Sequence, residues 1–245
     1  MATVIVAINR QHGVSLGISE LLQLMSFLHV SRLISLLLVM VAAPAVAENW
    51  ELARDRGGIK VWTTTIPDYP IRGFRAVTVV KSSLSGVVNL ILDTDNAGRW
   101  AYRTTRIDVL SRNDEEGTFV IRADTDFPWP LTDRDVVLSG AVSQDEKTRV
   151  VTIRSISVES AQYPHRAGFV RMPDMEGVWV LRPLPGGQVE VSMTGRANPG
   201  GSIPGSIVNL IIHETPYMTL RGLREAVRDE RYQRSVQPRI RELGE

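Results

Sequence analysis

Asp126-Phe127-Pro128-Trp129-Pro130-Leu131-Thr132-Asp133-Arg134-Asp135 interrupts an otherwise alternating stretch of chain. Two prolines flank a tryptophan, so two backbone donors are missing and φ is fixed twice. A strand arriving from Thr118 cannot run straight through such a sequence. Alternation resumes at Val136, Val137 and Leu138, which makes the run a rigid corner between two strands. The Trp129 ring is expected to find an apolar seat, and Arg134 to be held by the carboxylates on either side of it.

Outward from the corner lies a series of short strands. Before it, residues 103–112 and 118–126 flank a turn at 113–117; after it, residues 136–143 and 149–158 flank a polar turn at 144–148. Short strands are expected at 168–172 and 176–182, and Pro185-Gly186-Gly187 turns the chain into a last strand over 188–196. Nearer the N-terminus, residues 59–65 and 71–81 are rich in β-branched side chains and should pair across Pro67-Asp68-Tyr69-Pro70. Three helices complete the pattern. Asn49 can cap a short one over 49–56, ended by Gly57-Gly58. Ser82 or Ser83 caps a second that runs to Asp93, with Leu84, Val87, Val88, Ile91 and Leu92 on one face. Residues 94–98 then form a loop. The third follows Asn198-Pro199-Gly200-Gly201-Ser202-Ile203-Pro204, with Pro204 in its first turn and a kink at Pro216. Its first half is apolar almost all round, so it should be buried on most sides.

About seven to nine strands joined by short turns, with no strand–helix–strand alternation, place the chain in the α+β class as an antiparallel meander. A parallel nucleotide-binding sheet is excluded. Two helices and a meander closed by a buried helix imply a strongly curved sheet, with room for a cavity between its concave face and that helix.

The first fifth of the 245 residues stands apart. Arg32 and an apolar run over 33–41 precede Ala45-Val46-Ala47, the pattern of a cleaved secretory leader. The run is shorter than the roughly 20 apolar residues of a membrane span. A leader of ordinary size would begin at Met25, which makes residues 1–24 an upstream extension of the gene model; the leader spans 25–47, the domain 48–236, and 237–245 is a frayed tail. The mature chain, from about Glu48, is thereby assigned to the periplasm or the medium. Losing Arg10, Arg32 and Glu20 from 28 basic and 27 acidic residues leaves 26 of each. A balanced chain lacks the basic footprint of a nucleic-acid binder. With no cysteine there is no disulfide, thiolate nucleophile or thiolate metal ligand.

Three motifs could carry chemistry. Asp93-Thr94-Asp95, Asp124-Thr125-Asp126 and Asp133-Arg134-Asp135 are each Asp-x-Asp, but without the parallel sheet of a sugar-nucleotide site or the ligand series of a calcium loop. His165 and His213 are the histidines left after processing, and neither has a nucleophile within a recognisable motif. Gly200-Gly201-Ser202 precedes a helix but lacks the spacing and lysine of a phosphate loop. No metal and no cofactor are expected.

Taken together, three segments resemble the START domain, the steroidogenic-acute-regulatory-protein-related lipid-transfer family, in its bacterial branch. They are the corner from Phe127 to Asp135, Pro199-Gly200-Gly201-Ser202-Ile203-Pro204 leading to Val208-Asn209, and Gly168-Phe169-Val170-Arg171 followed by Gly177-Val178-Trp179. Gly58-Ile59-Lys60-Val61-Trp62 at the start also matches. The resemblance covers residues 50–231. It implies a helix-grip fold, a curved antiparallel sheet around the last helix, enclosing one lipid or sterol. Sterol-binding animal members place a charged pair in the cavity, and Gly140 falls where one such arginine would stand.

Within that fold the apolar alternation supplies the lining. Phe119, Ile121 and Ala123 share one strand face, Trp179 and Leu181 another, and Val189, Val191 and Met193 a third. Ile207, Ile211, Thr215 and Met218 face them from the helix, and Trp100 joins the set. The expected function is that of an exported, non-enzymatic carrier for a lipid or another hydrophobic small molecule, with transient membrane contact and no nucleic-acid partner. The rival is an enzyme in the same cavity, polyketide cyclase-like or hydrolytic.

Overall fold

A computed structural model describes residues 49–244 apart from Pro70 and Pro204. The expected leader, the segment before it and the first-turn proline lie outside the described residues. Ten strands form one curved, unclosed sheet in the order β1-β2-β3-β10-β9-β7-β6-β5-β4. Its members are β1 (Glu51–Arg56), β2 (Ile59–Thr64), β3 (Gly73–Lys81), β4 (Thr104–Asn113), β5 (Thr118–Thr125), β6 (Asp133–Gln144), β7 (Val151–Ser157), β9 (Asp174–Leu184) and β10 (Gln188–Asn198). The short β8 (Phe169–Arg171) lies off this path, parallel to the start of β6. Helix α1 (Leu84–Leu92) runs into a 3₁₀ turn (Thr94–Arg99) where a loop was expected. The long α2 (Gly205–Ala226) precedes a single turn, α3 (Glu230–Gln233).

The first expected helix is a strand. Gly57 and Gly58 both take positive φ, 61° and 74°, and join Arg56 to Ile59 as a two-residue hairpin turn. A pair of glycines ends a helix or turns a hairpin equally well. Pairing with β2 decides for the strand. α1 starts as expected, with the Ser83 hydroxyl accepting from Gly86 N–H at 3.0 Å.

The corner corrects two expectations. Trp129 has no apolar seat: it is 92% exposed at the loop tip, whereas Phe127 is buried at 7%. Arg134 is not held by its neighbours in sequence. Successive residues of a strand point to opposite faces, so Asp133 and Asp135 leave one side of β6 and Arg134 the other. Asp133 accepts from the Phe127 N–H at 3.0 Å. Asp135 takes a two-point contact from Arg171 on β8 (3.0 and 2.9 Å), and Arg122 approaches it to 3.6 Å. Both side chains of the Asp135–Arg171 pair are almost completely buried, and this contact holds the guanidinium of Arg171 firmly charged, its pKa raised. On the other face, Arg134 donates to the carbonyls of Thr132, Pro199 and Gly200 and lies 4.4 Å over the Phe127 ring.

The segment after α3 corrects another expectation, that of a frayed tail. Ile240 is buried, and the Gln144 side-chain amide brackets Arg241, accepting from its N–H at 2.8 Å and donating to its carbonyl at 2.7 Å. The Glu242 carboxylate accepts from the free N–H groups of Leu84 and Ser85 at the start of α1, both at 2.9 Å. This stretch is docked, not frayed.

Replacing Asp135 by alanine leaves the Arg171 charge buried without its main partner. Urea denaturation should show a loss of about 3–5 kcal/mol. Glu176→Ala, which removes a partly exposed partner of Arg154 and Arg196, should stay within about 1 kcal/mol.

Candidate functional site

One face of the sheet changes character along its strands. Thr78, Val191, Leu181 and Val151 stand side by side across β3, β10, β9 and β7, each at most 2% exposed. Leu84, Leu220 and Leu223 from the helices belong to the same solid core. Two residues further along, the row reads Ala76, Met193, Trp179 and Ile153. Two residues beyond that it reads Phe74, Gly195, Gly177, Ser155, Gly140 and Phe119. Side chains all but vanish from the middle of this last row. At its margins the rings lie over glycines: a Cβ on Gly140 would sit 2.4 Å from Phe119 Cζ, and one on Gly195 3.2 Å from Phe74 Cζ. Space is left where the sheet carries no bulk.

That space is a cavity of about 590 Å³. Its floor is the row around Gly177 and Ser155. Its walls are Ile121 and Ala123 on β5, Ile107 and Val109 on β4, Leu138 and Val142 on β6, and Met175 at the start of β9. Val88, Ile91 and Leu92 of α1 cover it, with Trp100 set edge-on to Trp179 at 6.2 Å between ring centroids. Gly222 of α2 permits this arrangement, because a Cβ there would lie 2.3 Å from the Trp100 carbonyl oxygen. From α2 come two hydroxyls, Thr215 and Thr219, and Thr219 Oγ1 accepts from Tyr102 N–H at 3.3 Å. Charged groups stand at the margins: the carboxylates are paired, Asp114 with Arg112 and Glu176 with Arg196, while Arg239 donates to the Asp114 carbonyl.

Of the expected lining residues, Trp100, Phe119, Ile121, Ala123, Trp179, Met193 and Thr215 come together around this cavity. Leu181, Val189 and Val191 lie on the anticipated face, but within the solid core. Alternation identifies a face and is silent about position along it. Met218 packs against the core, and Ile207 and Ile211 do not line the cavity. α2 is turned so that Tyr217, Leu220 and Leu223 fill the core, leaving the threonines towards the space. The glycine row was missed. Its signal was available in Gly177 and Gly195, which interrupt alternating strands and mark a close approach or an unfilled position.

The remaining motifs have structural partners. Asp93 accepts from Asn96 and from the Tyr232 hydroxyl, Asp124 pairs with Arg166 at 2.7 Å, and Asp126 pairs with Arg103 at 2.9 Å. His165 is exposed beside Glu159, and His213 is held towards its neutral form by burial and by Arg72 and Arg54. Neither histidine lines the cavity. Among the described residues, no group of three or more histidine or acidic side chains is placed to hold a metal ion. No described helix is long and apolar enough to cross a membrane.

A START domain family model matches residues 38–232. An uncharacterised protein of Pseudomonas aeruginosa is 31% identical over 186 residues, spanning 76% of this chain and 90% of its own. The solved STAR-related lipid transfer protein of Xanthomonas axonopodis is 32% identical, with a TM-score of 0.67 over 73% of this chain and 98% of that one. Human StAR-related lipid transfer protein 5, at 20% identity and the same TM-score of 0.67 over 84% and 97% of the two chains, shares the fold. The match over most of the chain, the helix-grip arrangement and the cavity between sheet and helix agree: this chain belongs to the START domain family.

Proposed function

We propose that this protein is an exported, non-enzymatic carrier that holds one lipid-like molecule in the cavity and exchanges it at a membrane surface. The observation that carries the reading is the apolar space of about 590 Å³, within the range of pockets that enclose a small ligand. Hiding on the order of 300 Å² of apolar ligand surface there is worth about 7 kcal/mol, enough for micromolar binding before ordering costs. The threonine hydroxyls of α2 offer hydrogen bonds to a polar head. Catalysis in the same cavity would need acid and base groups converging on the bound molecule; the absence of histidine from the lining and the pairing of the marginal carboxylates with arginines favour the carrier.

Membrane contact rests on Trp129. Its ring stands out from the loop that also carries Phe127 and the Arg134 clamp, at the end of β5 where Thr125 lines the cavity. An indole at an exposed loop tip suits the membrane–water boundary, where its amphipathic ring gains contact with acyl chains and head groups.

Three measurements check these statements. Gly177→Leu puts a side chain on the cavity floor, where a Cβ meets only Ser155 Oγ at 3.4 Å. Native mass spectrometry with lipid extraction should show loading lowered about tenfold at unchanged fold, an overpacking cost on the order of 1–3 kcal/mol. A wild type that neither co-purifies with a lipid nor takes one up would sink the carrier. Trp129→Glu should slow lipid transfer between vesicles about tenfold while loading stays at the wild-type level, the penalty of a charge in place of an interfacial ring. Equal transfer rates would remove the loop from the mechanism. Export predicts a mature N-terminus at or near Glu48 in peptide mass maps of the extracytoplasmic fraction; intact leader there would exclude cleavage.

A further inference from the structure

The cavity runs along β5, whose Thr125 and Thr118 both line it, over about 23 Å. At the Thr125 end stand the corner and the other loops beside the start of α2. At the Thr118 end the sheet turns back at Gly117, and the segment after α3 lies across the opening. Gln237, Pro238, Arg239 and Ile240 all line the cavity there. Ile240 is 6% exposed and packs with the core as well, so its side chain occupies the place where solid core and cavity meet.

The segment is fastened on both sides of Ile240. Before it, the Gln237 amide reaches Asn89 of α1 at 3.4 Å, and Arg239 reaches the Asp114 carbonyl in the β4–β5 turn at 3.4 Å. After it, Gln144 brackets Arg241 and Glu242 sits on the start of α1. These contacts join a helix on one side of the cavity to strand ends on the other. Most of them use backbone groups on one partner, so they fix the path of the segment rather than its surface chemistry.

We propose that residues 237–242 are the end-stop of the cavity and that Ile240 sets the length of hydrophobic chain it accepts. The inference rests on the carrier reading and deepens it. The ligand is a molecule with a long apolar chain whose terminus abuts Ile240 and whose polar part lies towards the α2 threonines and the corner. The strap, not the wall of the sheet, then decides which member of a chain-length series fits.

The test loads the full chain from phosphatidylcholine vesicles carrying a ladder of saturated fatty acids from lauric to arachidic, single chains that fit a space of about 590 Å³, and reads the bound species by native mass spectrometry. Ile240→Ala should shift the preferred chain upward by about two methylenes, the space the lost side-chain carbons vacate. Ile240→Trp should shift it downward. Ile240→Val, a milder change, serves if the alanine variant is unfolded by thermal melt, with a smaller upward shift expected. A loaded wild type whose chain preference is the same in the folded Ile240 variants overturns the end-stop and leaves the carrier standing. An empty wild type overturns both.

Discussion

Arg134 is a buried cation without a carboxylate. Three carbonyl oxygens and the face of Phe127 surround its guanidinium, and burial lowers its pKa. Two of the three carbonyls belong to Pro199 and Gly200, so one side chain ties the proline-flanked corner to the turn that launches α2. One residue later the chain does the opposite thing on the opposite face. Asp135 takes Arg171, and thereby β8, into a buried two-point ion pair. The three segments that mark the family, the corner, the glycine turn before the last helix and the Gly-Phe-Val-Arg run, meet at these two neighbouring residues. A buried charge that loses its partners is far costlier than a lost apolar contact. The placement of the loops at this end of the cavity therefore depends on the pair.

With those loops held, the cavity follows from where the sheet carries bulk. The same strands that pack Val191, Leu181 and Val151 into a dry core present Gly195, Gly177 and Ser155 four residues along, beside Gly140 of β6. Native interiors close-pack, and a void this large persists only where neighbouring elements are held apart. Here α1, α2 and the segment after α3 are each fastened elsewhere: α2 through Leu220 and Leu223 in the core, α1 through its Ser83 cap and the Glu242 carboxylate, the segment through Gln144. None is free to settle onto the glycine row.

Much of this was legible in the residues. The strand run from β2 to β10, the capped α1, the Pro185-Gly186-Gly187 turn and the long last helix all follow from alternation, caps and turn chemistry, because each is decided within a few residues. The first helix failed because Gly57-Gly58 serves either a helix end or a hairpin, and only the partner β2 chooses. Trp129 failed because an aromatic residue is ordinarily buried, and nothing local reveals that Phe127 had already taken the seat. Half of the expected lining was displaced into the core or turned away on α2. Strand parity and helix period name a face, while depth along the face depends on which elements stop short above it.

By itself, then, the sequence determined the class, an antiparallel α+β sheet closed by a helix, and the motifs that identify the family, since these rest on local backbone chemistry and residue spacing. Tertiary structure decided the rest. It paired Asp135 with Arg171 and Arg134 with the carbonyls of Pro199 and Gly200, left Trp129 in solvent, emptied the row at Gly177 and folded Ile240 across the end of the space. Each of these outcomes is set by contacts between residues far apart in the chain, and no window of neighbouring residues contains both partners.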